Sequence, residues 1–135
     1  MQINSIKSTA NPNFKGRFLH LEDEFTTQAL LLNFANKVKG TIVDTADSFE
    51  KGIKAMQETK AKYNGIITDG DISTKDDGLE IVKTALKKGY KPEDIVMISA
   101  NKELEPEVTK LGCRFFSKPI QNAKEFLIQF FTQRP

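Results

Sequence analysis

Residues 63–69 read Tyr63-Asn64-Gly65-Ile66-Ile67-Thr68-Asp69. A turn-forming Asn-Gly pair enters a short β-branched run, and the run stops at a carboxylate. Read as a strand over Tyr63–Thr68, the stretch delivers Asp69 at its carboxyl end. A polar loop, Gly70–Asp76, leads to an amphipathic helix over Asp77–Lys88 that Gly89 terminates. Strand, loop and helix in that order form one unit of a parallel α/β sheet, and the flanking sequence repeats the unit.

Upstream, Phe18–Leu21 forms a first strand that ends in Glu22-Asp23-Glu24. A helix follows from about Thr26, with Ala29, Leu30, Leu32 or Asn33, and Phe34 at helical spacing, and Gly40 ends it. A second strand lies near Thr41–Thr45. Asp47, with Glu50 three residues on, is the expected capping box of a second helix buried through Ile53, Ala55, Met56 and Ala61. Downstream, Ile95–Ile98 is a continuous apolar run, as in a strand covered on both faces, and Ser99 ends it. Pro106 suits the first turn of a short helix starting near Glu105. A fifth strand, Cys113–Phe116, closes at Lys118-Pro119, and a last helix spans about Asn122–Thr132. Ala123, Phe126, Leu127 and Phe130 form its inward stripe, Phe131 sits at the edge as a core contact, and Ile128 lies off it. Five strands thus alternate with five helices in one α/β domain over residues 17–135.

The 135 residues suffice for one core and are too few for two ordinary ones. Residues 1–16 are polar, aperiodic and free of acid, and read as a flexible arm. Their Lys7 and Lys15 account for the whole net charge of +2. The domain itself is formally neutral, which argues against a nucleic-acid partner, since phosphate neutralisation needs a clustered basic surplus. No apolar run is long enough to span a bilayer and no signal segment opens the chain, so a cytoplasmic location is expected. One cysteine, Cys113, excludes an internal disulfide, and one histidine, His20, excludes two-histidine metal motifs. Both read as core residues.

The polar residues that carry chemistry all fall just past strand ends: Glu22 and Asp23, Asp69, Ser99, and Lys118. In open α/β sheets ligands bind at the carboxyl ends of the strands, at a topological switch point. A doubly wound order 2-1-3-4-5 sets strands 1 and 3 side by side there, so Glu22, Asp23 and Asp69 converge. Three converging carboxylates suit a hard oxygen-seeking cation, Mg2+ above all. An Asp carboxylate can also accept a phosphoryl group as a nucleophile, with Lys118 a point charge and Ser99 a hydroxyl donor for its oxygens. Asp76 and Asp77 read as a helix start and its charged first turn.

In these residues the sequence resembles the receiver domains of two-component response regulators. FLHLEDE looks like the receiver's first strand with its acidic pair, and YNGIITD like the strand that carries the phosphorylated aspartate. DGLEIVKTAL is similar to the opening of the third helix, DIVMISA to the strand with the switch hydroxyl, and FFSKPI to the lysine–proline step. The resemblance covers residues 17–135 and implies a flavodoxin-like (βα)5 fold. It also implies a switch rather than an enzyme. A histidine kinase or histidine phosphotransfer protein would phosphorylate Asp69, with Mg2+ held by Glu22, Asp23, Asp69 and the Asp71 backbone carbonyl. Ser99 and Phe115 would be the linked switch positions, Phe115 rotating inward behind Ser99. The face of helix 4, strand 5 and helix 5 would change its preference for a downstream protein target or for a second copy in a homodimer, with Ile128 and Phe115 as candidate contacts. With no stretch left for an output domain, docking, relay of the phosphoryl group or a phosphate sink are the expected modes of action.

Three features depart from the family pattern. Glu22 stands where aspartate is usual, its longer arm suiting a water-mediated metal contact. Gly70-Asp71-Ile72-Ser73 replaces the usual Met-Pro step, and the loop to Asp77-Gly78 reads one residue long. Asp71 places a second carboxylate two residues past the acceptor, where it could orient an attacking water and shorten the phosphoryl lifetime. IITDGDIS also resembles the nucleophile motif of haloacid-dehalogenase-type phosphatases, with Asp69 as nucleophile and Asp71 as acid/base. Against that second reading, the acidic pair lies upstream, no acidic pair follows Lys118, and there is no room for a substrate cap. A receiver-shaped module that is never phosphorylated is a third reading, opposed by the intact Asp69, Ser99 and Lys118.

Overall fold

The computed structural model describes residues 16–58 and 63–132. Five parallel strands form one sheet: β1 (Gly16–Leu21), β2 (Thr41–Ala46), β3 (Gly65–Thr68), β4 (Ile95–Ser99) and β5 (Arg114–Ser117). Their order is β2-β1-β3-β4-β5, as the site argument required. The helices are α1 (Phe25–Ala35), α2 (Phe49–Glu58), α3 (Asp77–Lys87), α4 (Glu105–Lys110) and α5 (Lys124–Thr132). The fold is a flavodoxin-like, doubly wound (βα)5 sheet.

Alternate residues of each central strand feed two cores. Leu19, Leu21, Ile66, Ile95 and Met97 pack with Met56, Ile81 and Val82 on the α2–α3 face. Phe18, Ile67, Val96 and Ile98 pack with Leu31, Phe34, Leu127 and Phe131 on the α1–α5 face. Both faces are covered, so every residue of β3 and β4 is buried and their apolar runs break only at the terminal Thr68 and Ser99.

Several elements differ from the sequence expectation. Gly16, assigned to the arm, is the first residue of β1, while residues 1–15, and Ala61 of the second helix, lie outside the described residues. The buried stripe of α1 is Thr27, Leu31, Phe34 and Ala35, whereas Ala29 and Leu32 are exposed. Ala29–Phe34 is apolar almost all round, so periodicity alone does not phase it. Ser48 caps α2: its Oγ accepts the Lys51 N–H at 3.2 Å, and Asp47 instead pairs with the Lys51 ammonium at 2.9 Å. A 3₁₀ turn, Ile120–Ala123, precedes α5. In α5, Phe131 is fully buried against Phe18, while Phe126 is only half-buried. Phe126 lies over Phe116 on the edge strand β5, under the Arg114 guanidinium at 4.7 Å, where no further strand covers it.

Candidate functional site

Parallel alternation puts the carboxyl ends of β1, β3, β4 and β5 along one edge of the sheet. The backbone there is locked by the ladder and its extensions. Glu22 N–H donates to the Ala46 carbonyl, Asp69 N–H to the Leu21 carbonyl and Lys118 N–H to the Ser99 carbonyl, each at 2.9–3.0 Å. Glu22, Asp69 and Lys118 each stand one residue past a strand end, and Ser99 is the last residue of β4, so backbone bonds that extend the ladder hold all four.

Glu22 is 1% exposed and Asp69 6%. The Lys118 ammonium joins them, lying 3.1 Å from Asp69 Oδ2 and 3.1 Å from Glu22 Oε1. Backbone donors hold the carboxylates from the other side. Gly70 N–H donates to Asp69 Oδ1 at 2.6 Å, and Glu24 N–H to Glu22 Oε2 at 3.1 Å. Asp23 is exposed. One oxygen from each of Glu22, Asp23 and Asp69 falls within 4.8 Å of the others, a spacing that fits a single hard cation. These are the three side chains that the sequence singled out.

Burial shapes the charges. Removal from water, reinforced by the Asp69 charge, pushes the Glu22 carboxyl up to about 7 against the pull of Lys118. Burial alone would lower the Lys118 pKa, but Asp69 and Glu22 outweigh it and hold it above its ordinary value. His20 is buried as expected; burial, with Lys118 nearby, pushes its imidazole down to about 3, so it is a neutral packing group at pH 7.

Ser99 is buried at the end of β4. Its Oγ accepts the Asn101 N–H at 3.0 Å and lies beside Gly70, where a Cβ would stand only 2.7 Å from it. The lack of a side chain at Gly70 leaves room for that hydroxyl beside the turn after Asp69. Phe115 is 9% exposed and packs in the same core as Leu104 and Val108, under α4. Phe115 is therefore already inward and, against expectation, offers little to a partner surface, whereas Ile128 is half-buried at the edge of the α1–α5 core.

The loop after Asp69 is ordered by carboxylates. Asp77 Oδ1 and Oδ2 accept the N–H groups of Ile72, Ser73 and Thr74 at 2.7–2.9 Å, so Asp77 caps the loop as well as opening α3. Asp76 adopts a left-handed φ of 67°, which Asp tolerates better than most residues. The Asp71 carboxylate, expected to face Asp69, is engaged elsewhere: its Oδ1 accepts from Asp76 N–H at 2.7 Å and from Asn101 Nδ2, in the loop after β4, at 3.1 Å. Sequence reading passed over Asn101. Its only signal is an amide two residues past a strand end.

No protein-family model and no curated protein matches the sequence. Solved structures do match the fold. A response regulator receiver protein from Pseudoalteromonas atlantica superposes with a TM-score of 0.72 at 16% identity, over 87% of this chain and 94% of that one. The response regulator TrrA from Thermotoga maritima, in complex with Mg2+-BeF, superposes with a TM-score of 0.66 at 21% identity, over 84% and 97%. A sensor protein from Polaromonas sp. JS666 superposes at 0.68 and 24% identity, over 87% and 94%. The chain thus has the receiver-domain fold across most of its length. Among the described residues no helix is long and apolar enough to cross a membrane.

Proposed function

We propose that the protein is a phosphoacceptor signalling switch of the two-component type, with Asp69 as the acceptor. The observation that carries this reading is the Lys118 ammonium set 3.1 Å from Asp69 Oδ2, beside a triad of carboxylates spaced for one cation. In the transfer, an Asp69 oxygen bonds to phosphorus while the P–N bond of a phosphohistidine donor breaks, its electron pair returning to the imidazole. Lys118 offsets charge on the phosphoryl oxygens, and Ser99 can donate its hydroxyl to one of them. Glu22, Asp23, Asp69 and the Asp71 carbonyl would hold Mg2+, which supplies further charge neutralisation when bound.

A protein donor must reach this edge, and α1 offers it a foothold. Phe25 is 79% exposed and Leu32 is exposed one heptad on, so both lie on one outward face beside the acidic pair. That face fits a histidine kinase or phosphotransfer protein as partner. Ser99 and Phe115 are the positions through which the modified site would reach α4, β5 and α5, the face for a downstream target or a homodimer.

Incubation with acetyl phosphate and Mg2+, followed by intact-mass measurement, tests the reading. One added phosphoryl mass is expected, and Asp69→Asn should abolish it. Persistence of the mass in that variant moves the acceptor elsewhere. Multiple turnover of a generic phosphate ester would favour the phosphatase reading instead.

A further inference from the structure

We propose that Gln28, on α1, is a positioning residue for the cation site: its amide sets the direction in which Asp23 projects toward Asp69. The inference deepens the phosphoacceptor reading above and rests on the metal site within it.

Glu22, Asp23 and Glu24 form the turn between β1 and α1. Two of the three are held through their own carboxylates. Glu22 is engaged by the Lys118 ammonium and by the Glu24 N–H, both at 3.1 Å. Glu24 accepts the hydroxyl of Thr27, in the first turn of α1. Asp23 differs. It is exposed, and among the described residues no hydrogen bond or ion pair reaches its carboxylate. Yet one of its oxygens stands within 4.8 Å of oxygens of Glu22 and Asp69. The backbone must supply the aim.

A side chain leaves Cα in a direction set by the two peptide planes that flank it, and each plane is rigid. The plane after Asp23 is pinned through the Glu24 N–H, which donates to Glu22 Oε2 at 3.1 Å. The plane before Asp23 is pinned through the Glu22 carbonyl, which accepts Gln28 Nε2 at 2.6 Å. No other donor among the described residues serves that carbonyl. The backbone N–H of Gln28 also donates to the Glu24 carbonyl at 3.0 Å. One residue of α1 thus grips the turn at both ends, by its side chain before Asp23 and by its main chain after it. Deprived of the amide, the Glu22 carbonyl must find water instead, and its plane turns to meet it, carrying Asp23 along. Glu22 and Asp69 stay in place, because the Ala46 and Leu21 carbonyls hold their N–H groups and Lys118 holds their carboxylates.

Gln28→Met keeps the side-chain length and the backbone N–H and removes the amide. Mg2+ titration of the metal-free protein, followed by the NMR shift of the Gly70 amide that donates to Asp69, reads affinity without any phosphoryl chemistry. Gln28→Met should weaken Mg2+ by about three- to tenfold, at or below the loss expected when the ligand itself is removed. Gln28→Asn, whose amide is one methylene too short to reach, should do the same. In an Asp23→Ala background Gln28→Met should change affinity less than about twofold, since the carboxylate it aims is gone. Unchanged affinity in both Gln28 variants overturns the proposal. So does an equal loss with and without Asp23, which is what a merely structural role would give. Wild type that binds no Mg2+ overturns the metal site and this inference with it. Wild type that binds Mg2+ but gains no phosphoryl mass from acetyl phosphate overturns the acceptor reading alone.

Discussion

Lys118 and Asp69 lie 49 residues apart in sequence, and their charged atoms are 3.1 Å apart at the edge of the sheet. The ammonium also serves Glu22, so a single cation holds two buried carboxylates that would otherwise repel. In effect Lys118 occupies part of the electrostatic role that a metal ion would take.

Lys118→Met should therefore act in opposite directions on stability and on metal binding. Removing one partner of a fully buried pair costs ~3–5 kcal/mol. Here Glu22 can take up a proton instead, so a loss of about 1–3 kcal/mol in metal-free thermal unfolding is expected. Mg2+ affinity, measured by calorimetric titration, should rise, because a competing cation is gone. Weaker Mg2+ binding in the variant would show that Lys118 organises the metal site rather than competing for it.

Asp23 and Glu22 should contribute unequally to that affinity. Glu22 Oε2 already accepts the Glu24 N–H, and both Glu22 oxygens lie near Lys118. Asp23 is exposed, with its carboxylate within reach of the Asp69 oxygens. Asp23→Ala should weaken Mg2+ about tenfold and Glu22→Ala less, the range seen when single ligands or their supports are lost. The reverse ranking would make Glu22 the direct ligand.

Much of this site was readable from residue types at strand ends, because the strict alternation of strand and helix fixes which ends share an edge. Asp69, Glu22, Asp23, Ser99 and Lys118 needed only that topology. Asn101 was not readable, since its partners Asp71 and Asp76 come from another loop and no periodicity records the juxtaposition. The α1 stripe failed for a different reason. Ala29–Phe34 offers apolar side chains in nearly every direction, and only packing under α5 selects Leu31 and Phe34. Ser48 and Asp47 are both good caps, and the choice between them turned on where the first helical N–H groups fall.

Glu22 should make the metal-free protein lose stability as pH rises. Its carboxyl titrates at about 7 when folded, against 4.5 ordinarily. Below 4.5 both states are protonated and the group has no effect. Between those values the folded state keeps a proton that the unfolded chain has lost, so stability falls with rising pH, and above 7 the loss is complete. In chelator, thermal unfolding of wild type should drop more than that of Glu22→Gln between about pH 5 and pH 8. Added Mg2+ should stabilise wild type more at the higher pH, where the carboxylate is charged. Parallel pH profiles for the two proteins would mean that Glu22 is already ionised across the range.

Two glycines pack against the turn at Asp69, and replacing them should separate its framework from the proposed switch. A Cβ on Gly78 would stand 1.9 Å from the Asp69 carbonyl oxygen and 2.7 Å from Gly70 Cα, both backbone atoms. Neither can give way without moving the acceptor turn, which is also tied there by the Gly78 N–H bond to the Gly70 carbonyl at 2.8 Å. Gly78→Ala should cost about 1–3 kcal/mol, as overpacking against a rigid neighbour does, and should slow phosphoryl uptake from acetyl phosphate. A Cβ on Gly70 would instead meet side chains, Leu104 Cδ1 at 2.6 Å and Ser99 Oγ at 2.7 Å. Both can rotate aside, so the stability cost of Gly70→Ala should be smaller. Its main effect should fall on Ser99, whose hydroxyl is displaced from the acceptor turn. Uptake of phosphoryl mass should persist in Gly70→Ala, while the hydrogen-exchange response of α4 and β5 to phosphorylation should shrink. Equal stability losses in the two variants would mean that the acceptor turn yields as easily as a side chain. An undiminished exchange response in Gly70→Ala would remove Ser99 from the coupling.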